Sequence, residues 1–188
     1  MKKILSLILA LALLMAFPAT QAEETGTRKI SWEDVRLENN GTEPEGAFVS
    51  LGQGLPLQVF IPAGFADANA DGTNTTPELC LSLIQADVRL NVKLYHFQNP
   101  PVPCSADTVA DYRAKGLYSD LEEINGIPAL SYFNEETNDS GEIWSYEYIY
   151  YYLQDGSCVL ELRYYPSEEA SRIPYTLDYL RYSVSMIN

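Results

Sequence analysis

The stretch IWSYEYIYYYL at residues 143–153 says more about the fold than any other part of this sequence. It is dense in aromatic and β-branched residues and carries no glycine or proline, which is typical of a β-strand. A four-residue link, Gln154-Asp155-Gly156-Ser157, joins it to a second strand-like run, CVLELRYY, at 158–165. Asp-Gly is a strong short hairpin signal because both turn positions need positive φ. The sequence therefore predicts a hairpin that pairs 143–153 with 158–165 and turns at Asp155-Gly156.

The period-two alternation of a strand places residues 143–153 on two opposite faces. One face carries five aromatic residues: Trp144, Tyr146, Tyr148, Tyr150 and Tyr152. The other carries Ile143, Ile149, Tyr151 and Leu153, together with Ser145 and Glu147. Two interpretations of the aromatic face stay open: core under a packed helix, or an exposed platform that stacks on sugar rings or on a partner's side chains. The five residues are thus the candidate ligand-binding residues.

Other segments extend this hairpin into a sheet with helices. Strands are predicted at 47–51, 55–61, 78–84, 89–97 and 121–133. Ser105 is placed to cap a helix that runs to Lys115, with Gly116 just past its end. Apolar residues at 173, 177, 180, 184 and 187 form a helical stripe that should dock on the sheet. The predicted fold class is α+β: one domain with helices packed on an antiparallel sheet, an α/β/α sandwich.

The N-terminus has the three parts of a cleavable signal peptide at residues 1–22. Lys2 and Lys3 precede an uncharged apolar run at 4–17, and Pro-Ala-Thr-Gln-Ala follows at 18–22. The apolar run is shorter than the roughly 20 residues of a membrane-spanning helix. We therefore expect cleavage before Glu23, a secreted, extracellular or cell-envelope protein, and no membrane insertion of the mature chain. Residues 23–46 then form a polar N-terminal arm or edge strand, and 47–188 form the folded domain.

The charge of the chain limits the classes of partner that we expect, and its cysteines limit the possible disulfides. The chain has 26 acidic and 12 basic residues and a formal net charge of −14. Because such a surface repels phosphate backbones and anionic lipids, nucleic acid and membrane surfaces are not expected partners. Cys80, Cys104 and Cys158 leave two possibilities open in an oxidising compartment: one disulfide plus a free thiol, or three free thiols.

Catalysis finds little support in the sequence, and no catalytic residue is predicted. His96 is the only histidine, and no Gly-x-Ser-x-Gly motif surrounds any serine. His96 is interpreted as a partly buried structural residue at a strand end, because it continues the face of Leu90, Val92 and Leu94. The alternative of a secreted hydrolase that uses paired carboxylates stays open, since 26 acids supply many pairs.

One segment matches a calcium-loop template at every fixed position. It runs from Asp67 to Glu78, and the ligands would be the side chains of Asp67, Asn69, Asp71 and Glu78 with the backbone carbonyl of Thr73. Asn74 stands where such loops usually have an apolar residue, and no helix precedes the segment. An Asp- and Gly-rich turn is the alternative interpretation. Calcium is the one cofactor that the sequence predicts.

Four short segments carry a family resemblance: LQVFIPAGF at 57–65, EINGIPA at 123–129, YLQDG at 152–156 and LRYSV at 180–184. They resemble landmarks of PsbP-like α/β/α sandwich proteins, which include bacterial secreted proteins and extrinsic photosystem subunits. The resemblance implies an interaction scaffold without shared catalytic residues. The expected function is a secreted acidic binding module, calcium-stabilised if the loop is occupied, whose partner is an extracellular or envelope protein or glycan. A hydrolase and a glycan-binding aromatic platform are the alternatives.

Overall fold

A computed structural model of the chain describes residues 27–38, 41–51, 55–68 and 78–187. The predicted signal peptide at 1–22 lies outside the described residues, as does the centre of the predicted calcium loop at 69–77. Within these ranges, no helix is both long and apolar enough to cross a bilayer.

The described residues form two sheets and three α-helices. The large sheet has eight strands, in the spatial order β1 (Arg28–Ile30), β7 (Tyr118–Ile124), β8 (Ile127–Thr137), β9 (Ile143–Leu153), β10 (Gly156–Tyr165), β6 (Val88–Phe97), β5 (Leu79–Gln85) and β4 (Ala66–Asp67). All of its neighbouring pairs are antiparallel except β1 with β7. The small sheet contains β11 (Ser185–Met186), β3 (Leu57–Pro62) and β2 (Gly46–Ser50). The helices are α1 (Trp32–Arg36), α2 (Ala106–Ala114) and α3 (Pro174–Tyr182), with a 3-10 helix at Ser167–Arg172 before α3.

The central hairpin forms as predicted, but its turn lies one residue earlier. Strands β9 and β10 pair antiparallel, and Leu153 stands opposite Gly156, so Gln154 and Asp155 are the central turn residues. The described non-glycine residues with positive φ are Ala86, Asp87 and Asn125. Asp155 is not among them, so the expectation of a positive φ at Asp155 was wrong. Gly156 is needed for another reason: a Cβ there would lie 2.5 Å from the carbonyl oxygen of Phe97 in β6. The glycine therefore permits close approach of the neighbouring strand.

The predicted strand at 121–133 is in fact two strands joined by Asn125-Gly126. Both residues have positive φ, +50° and +79°, as a tight type I′ hairpin turn requires. The Asn125 side chain also ties this turn to distant segments. Its Oδ1 accepts a 2.6 Å hydrogen bond from the Trp32 amide, and its Nδ2 donates to the carbonyls of Tyr182 and Val184 at 2.8 Å. The signal for this turn was present in the sequence and was not used.

Strands β2 and β3, both predicted as strands, pair with each other and form a sheet of their own. Val49 stands opposite Val59, and β11 adds to the other edge of β3. This small sheet packs with α1 and α3 around an aromatic cluster of Trp32, Phe48, Phe60 and Tyr179, whose ring centroids lie 5.0 to 6.2 Å apart. The sequence pattern predicted the strands but did not separate the two sheets.

The C-terminal helix is shorter than predicted. It ends at Tyr182, and Val184, although fully buried, lies beyond it. The Ser183 hydroxyl accepts a 2.9 Å hydrogen bond from the Phe60 amide, and Ser185 then pairs with Gln58 of β3. Pairing with β3 supplies backbone hydrogen bonds, so the chain leaves the helix at this point. Leu180 is completely buried, in agreement with the predicted docking of this helix.

The two faces of the large sheet are covered to different extents. The inner face lies under α1, α3 and the small sheet, and it buries residues such as Leu94, Tyr151 and Leu160 completely. The outer face has α2 over one part only, where Val109 packs on the sheet. The Ser105 hydroxyl accepts from the Thr108 amide at 3.2 Å and caps α2 as predicted. Helices thus lie on both sides of a mostly antiparallel sheet, which confirms the predicted α+β class.

Candidate functional site

The five predicted aromatic residues of β9 lie on the outer face, and α2 divides them into two groups. We call the part under α2 the covered half; it contains Tyr150 with Leu130, Val159 and Val109. Tyr150 is 8 % exposed, and the Tyr152 hydroxyl donates a 3.1 Å hydrogen bond to the carbonyl of Val102. These contacts are those of a core. Tyr150 and Tyr152 are therefore unavailable to a ligand unless α2 and the preceding loop move.

Tyr148 lies at the border of the covered half. It stands opposite Tyr132 of β8, and their rings stack with centroids 4.8 Å apart. Burial raises the pKa of both hydroxyls to about 12, with smaller contributions from neighbouring groups. Tyr148 thus belongs more to the packed tyrosine cluster than to an open surface.

Beyond Tyr148 the described residues place no helix over the outer face, and we call this part the open half. At its centre a row of half-buried polar and aromatic side chains crosses five strands in register: Asn134, Tyr146, Arg163, Asn91 and Ser82. The next row outward contains Glu136, Trp144, Tyr165, Arg89 and Ile84. The central row of the open half therefore presents a side chain that can hydrogen-bond on each of the five strands.

Arg163 contacts both Trp144 and Tyr146, which an exposed aromatic platform, one of the two interpretations of the sequence, would leave free for a ligand. The Arg163 guanidinium carbon lies 4.3 Å from the centre of the Trp144 ring and 5.2 Å from that of Tyr146. Tyr165 stacks on Trp144 with ring centroids 5.1 Å apart and an interplanar angle of 27°. The Arg163 guanidinium and the Tyr165 ring therefore occupy part of the ring faces that a platform would offer to a ligand. We call this stack of Tyr146, Arg163, Trp144 and Tyr165 the ladder.

Arg163 is a residue that sequence reasoning missed. It stands opposite Tyr146 in the hairpin, so the predicted pairing could have placed it on the aromatic face. Its Nε is buried and has no hydrogen-bond partner among the residues that the structure describes. No other described residue forms an ion pair with it, and the same is true of Arg89. The other arginines of the chain, at 28, 36, 113, 172 and 181, each have a carboxylate within 4 Å.

Acidic side chains also border the open half, but other groups bind or face them. The Glu142 carboxylate accepts from Asn138 Nδ2 at 2.6 Å and from Trp144 Nε1 at 3.4 Å. The hydrogen bond from Asn138 is the main reason that the pKa of Glu142 is lowered, and the charge of Arg89 contributes less. Glu161 stands opposite Lys93. The open half is therefore mixed in charge, with two arginines that no carboxylate neutralises directly.

A separate cleft of about 320 Å³ opens at the β1–β7 edge, on the inner side of the sheet. Glu147 lines it and is 8 % exposed; it accepts hydrogen bonds from Arg181 Nε at 2.5 Å and from the Tyr164 hydroxyl at 2.7 Å. Glu122 also lines it, with Arg28 Nη1 at 3.7 Å. Burial raises the pKa of Glu122, while the charge of Arg28 opposes the shift. Each carboxylate thus lies beside an arginine.

Asp67 and Glu78, the first and last residues of the predicted calcium loop, lie near neighbouring strand ends. Asp67 stands opposite Leu81, and the Glu78 amide donates to the carbonyl of Leu94 at 2.7 Å. The segment therefore connects β4 and β5 of a hairpin. Asn69, Asp71 and Thr73 lie outside the described residues. The described part of the chain contains no group of three or more His, Cys, Asp or Glu residues suited to a metal, and calcium stays a prediction.

The cysteines and the histidine do not form a site. All three cysteines are free thiols, so the disulfide alternative is not realised. Cys158 is buried, and burial raises the pKa of its thiol to about 12. His96 was expected to be partly buried, and this expectation was wrong: it is exposed at the penultimate position of β6.

Comparison with known proteins identifies a similar fold and no family. None of the known family models matches the sequence, and no curated protein matches it significantly. LpqN of Mycobacterium tuberculosis, described as involved in cell envelope biogenesis, is similar in structure, with 10% identity, a TM-score of 0.51 and coverage of 84% of this chain and 98% of LpqN.

Two further structures match more weakly. One is the Ran-binding protein Mog1p of Saccharomyces cerevisiae, with 12% identity, a TM-score of 0.46 and coverage of 78% of this chain and 97% of Mog1p. The other is PA94 of Pseudomonas aeruginosa, a protein of unknown function, with 13% identity, a TM-score of 0.39 and coverage of 69% of this chain and 90% of PA94. At these identities the likeness concerns the fold alone. The chain therefore has an α/β fold of a kind similar to that of LpqN, and the finer PsbP-like assignment stays an expectation.

Proposed function

We propose that this chain is an exported, non-catalytic binding module that holds a glycan of the cell envelope or extracellular space on the open half of its outer face. The observation that carries the proposal is Arg163, an arginine without a carboxylate partner held between two aromatic rings. It lies in a row of polar side chains that spans five strands. The envelope role described for LpqN, which has a similar fold, is compatible with this function.

The composition of the open half favours a glycan over a protein partner. Protein interfaces depend on a buried apolar centre surrounded by a polar rim. Among the described residues of the open half, Ile84 is the large apolar side chain that is strongly exposed, and it lies on β5, away from the centre of the surface. Amide, hydroxyl and guanidinium groups occupy the centre, and these are the groups that can hydrogen-bond to sugar hydroxyls.

Tryptophan fluorescence can test this assignment, because the chain has only two tryptophans. Trp32 lies in the inner aromatic cluster and Trp144 in the open half. In a Trp32→Phe variant, titration with envelope or extracellular polysaccharides should give a saturable change in emission. The matched Trp144→Phe variant should show no such change. Saturable binding that leaves Trp144 emission unaltered, or no binding to any polysaccharide, would contradict the proposal.

The carboxylate cleft supports the hydrolase alternative through one observation, the raised pKa of Glu122. A glutamate with a raised pKa is the kind of group that serves as the general acid in glycoside hydrolysis. On this alternative, Glu122→Gln should abolish hydrolysis of a bound polysaccharide. The control Glu123→Gln, which alters the exposed neighbour that binds Lys29, should leave it intact. Polysaccharide recovered at unchanged length after long incubation with the parent would exclude this alternative for that polymer.

Calcium binding at residues 67–78 rests on the sequence pattern alone. Extracellular loops of this type have dissociation constants of roughly 0.1 to 1 mM. At about 2 mM ion and a constant of about 0.1 mM, the free energy of unfolding should increase by about 1.8 kcal/mol. The melting temperature should therefore be higher in calcium than in chelator, and Asp71→Ala should remove the difference. If the parent melts at the same temperature in calcium and in chelator, the segment is an ordinary Asp- and Gly-rich turn and the calcium prediction is wrong.

A further inference from the structure

Arg163 and Arg89 lie close enough to act on one ligand. Arg163 stands opposite Asn91, and Arg89 is two residues from Asn91 on the same strand and face. Such diagonal neighbours on antiparallel strands are separated by about 7 to 8 Å between Cα atoms. Two long side chains at this spacing can reach a single group or two adjacent groups on a polymer.

The ladder holds Arg163 in a state suited to binding an anion. A guanidinium has five N–H donors in a planar fork that matches the two oxygens of a carboxylate. The rings of Trp144 and Tyr146 limit the freedom of the side chain, so less entropy is lost when a ligand binds. Aromatic rings are also positive at their edges, where they can face an anion.

The negative net charge of the chain does not prevent an anion from binding to Arg163 and Arg89. At physiological ionic strength the Debye length is about 8 Å, so distant surface carboxylates are largely screened. Among the closest acids, Glu136 accepts a hydrogen bond from Asn134 Nδ2 at 3.1 Å, Glu142 is bound by Asn138 and Trp144, and Glu161 faces Lys93. The interaction of an anion with Arg163 and Arg89 is therefore local.

We infer that the glycan is acidic: an oligosaccharide with carboxylate groups, as in uronic acids, whose carboxylates bind Arg163 and Arg89 while its hydroxyls bind the row of Asn134, Tyr146, Asn91 and Ser82. This inference rests on the proposed function, since it names the ligand class of the same surface. A polyanion such as nucleic acid would need more cations than this face has. The sugar hydroxyls, in contrast, match the neutral polar groups of the row.

Calorimetric titration of the mature chain can test the inference with paired probes. The acidic probes are oligogalacturonate, alginate oligosaccharides and hyaluronan oligosaccharides. Each is compared with its methyl ester, which keeps the rings and removes the charge. We expect at least one acidic probe to bind, its ester to bind at least tenfold more weakly, and added salt to weaken binding of the acid.

Substitutions then connect the charge dependence to the two arginines. Arg163→Gln and Arg89→Gln should each weaken binding of the acid at least tenfold and leave the weak binding of the ester unchanged. Arg172→Gln is the matched control, because Arg172 lies in the 3-10 helix and pairs with Glu169. Arg89 is exposed, so its variant keeps the test valid even if Arg163→Gln lowers the melting temperature.

The outcomes separate this inference from the proposed function. If acid and ester bind equally and Tyr146→Ala weakens both, the glycan-binding function stands and the acidic ligand is wrong. If the acid binds but neither arginine variant weakens it, the inference is overturned and the site lies elsewhere. If no acidic probe binds while neutral oligosaccharides do, the ligand class is wrong, and binding of no oligosaccharide at all overturns both.

Discussion

The covered and open halves of the outer face share one strand and one pattern, an aromatic residue at every second position of β9, yet they have opposite environments. In the covered half, Tyr150 packs against Leu130, Val159 and Val109 and is 8 % exposed. In the open half, Trp144 and Tyr146 are half-buried, and an arginine lies between them. The difference comes from α2, which lies over the first group only. The same aromatic pattern along a strand therefore becomes part of a core where a helix packs on it and part of a partly exposed surface where no described helix does.

The two halves also differ in how they satisfy polar groups. In the covered half, the protein itself bonds the Tyr152 hydroxyl through the Val102 carbonyl. In the open half, Arg163 Nε has no partner among the described residues. Because an unpaired buried donor costs free energy, it needs a reason. The contacts of the guanidinium with the rings of Trp144 and Tyr146 supply one, and the comparison thereby becomes testable.

The largest contrast should be in stability. Tyr150→Ala removes a buried ring, and comparable core substitutions cost about 3 to 5 kcal/mol. Tyr146→Ala removes a half-buried ring and should cost about 1 kcal/mol. Urea unfolding of the two variants measures the difference directly. Equal losses would show that the halves are packed alike and that the open half is not a free surface.

High pH should act on the tyrosine cluster at the border of the covered half. Unfolded tyrosines ionise near pH 10, whereas Tyr132 and Tyr148 in the folded protein have pKa values of about 12. Between these values the folded state binds more protons than the unfolded state. The free energy of unfolding should therefore be unaffected below about pH 10 and fall progressively up to about pH 12.

Urea unfolding in a series of alkaline buffers measures this loss. The paired substitutions Tyr132→Phe and Tyr148→Phe serve as the control, because phenylalanine cannot ionise. They should make the decline shallower. An unchanged slope would mean that other groups cause the alkaline loss.

Loosening α2 should affect the covered half alone. Ser105→Ala removes the hydroxyl that caps the Thr108 amide, a change that typically costs about 1 kcal/mol. Hydrogen exchange should become faster in α2, while the strand amides near Arg163 keep their protection. Faster exchange throughout β9 and β10 would show that both halves unfold as one unit.

Arg163→Gln should have the smallest effect on stability. A cation–π contact contributes about 0.5 to 1 kcal/mol at an exposed site and more when it is desolvated. Arg163 is half-buried, but the variant also removes its unpaired Nε donor, so thermal melting should change only slightly. A Trp144→Phe substitution keeps a ring under the guanidinium and is the matched control. A loss of several kcal/mol in Arg163→Gln would identify the ladder as a structural device and remove the argument for a ligand.

Local signals account for the parts of the fold that were predicted correctly. Alternation predicted the two faces of β9, and the cap at Ser105 predicted α2. The Asn125-Gly126 turn was equally local and could have been predicted. The bond of Asn125 to the carbonyl of Tyr182 could not, because these residues are 57 positions apart and no periodicity connects them.

The candidate site divides in the same way. The sequence by itself determined that Trp144, Tyr146, Tyr148, Tyr150 and Tyr152 share a face, because side chains alternate along any strand. Only the tertiary structure decided that α2 buries Tyr150, that Arg181 pairs with Glu147 across 34 positions, and that Arg163 lies unpaired between two rings. Alternation and capping depend on neighbouring residues. Coverage and charge pairing depend on where distant segments meet, and that is set by the packing of the whole chain.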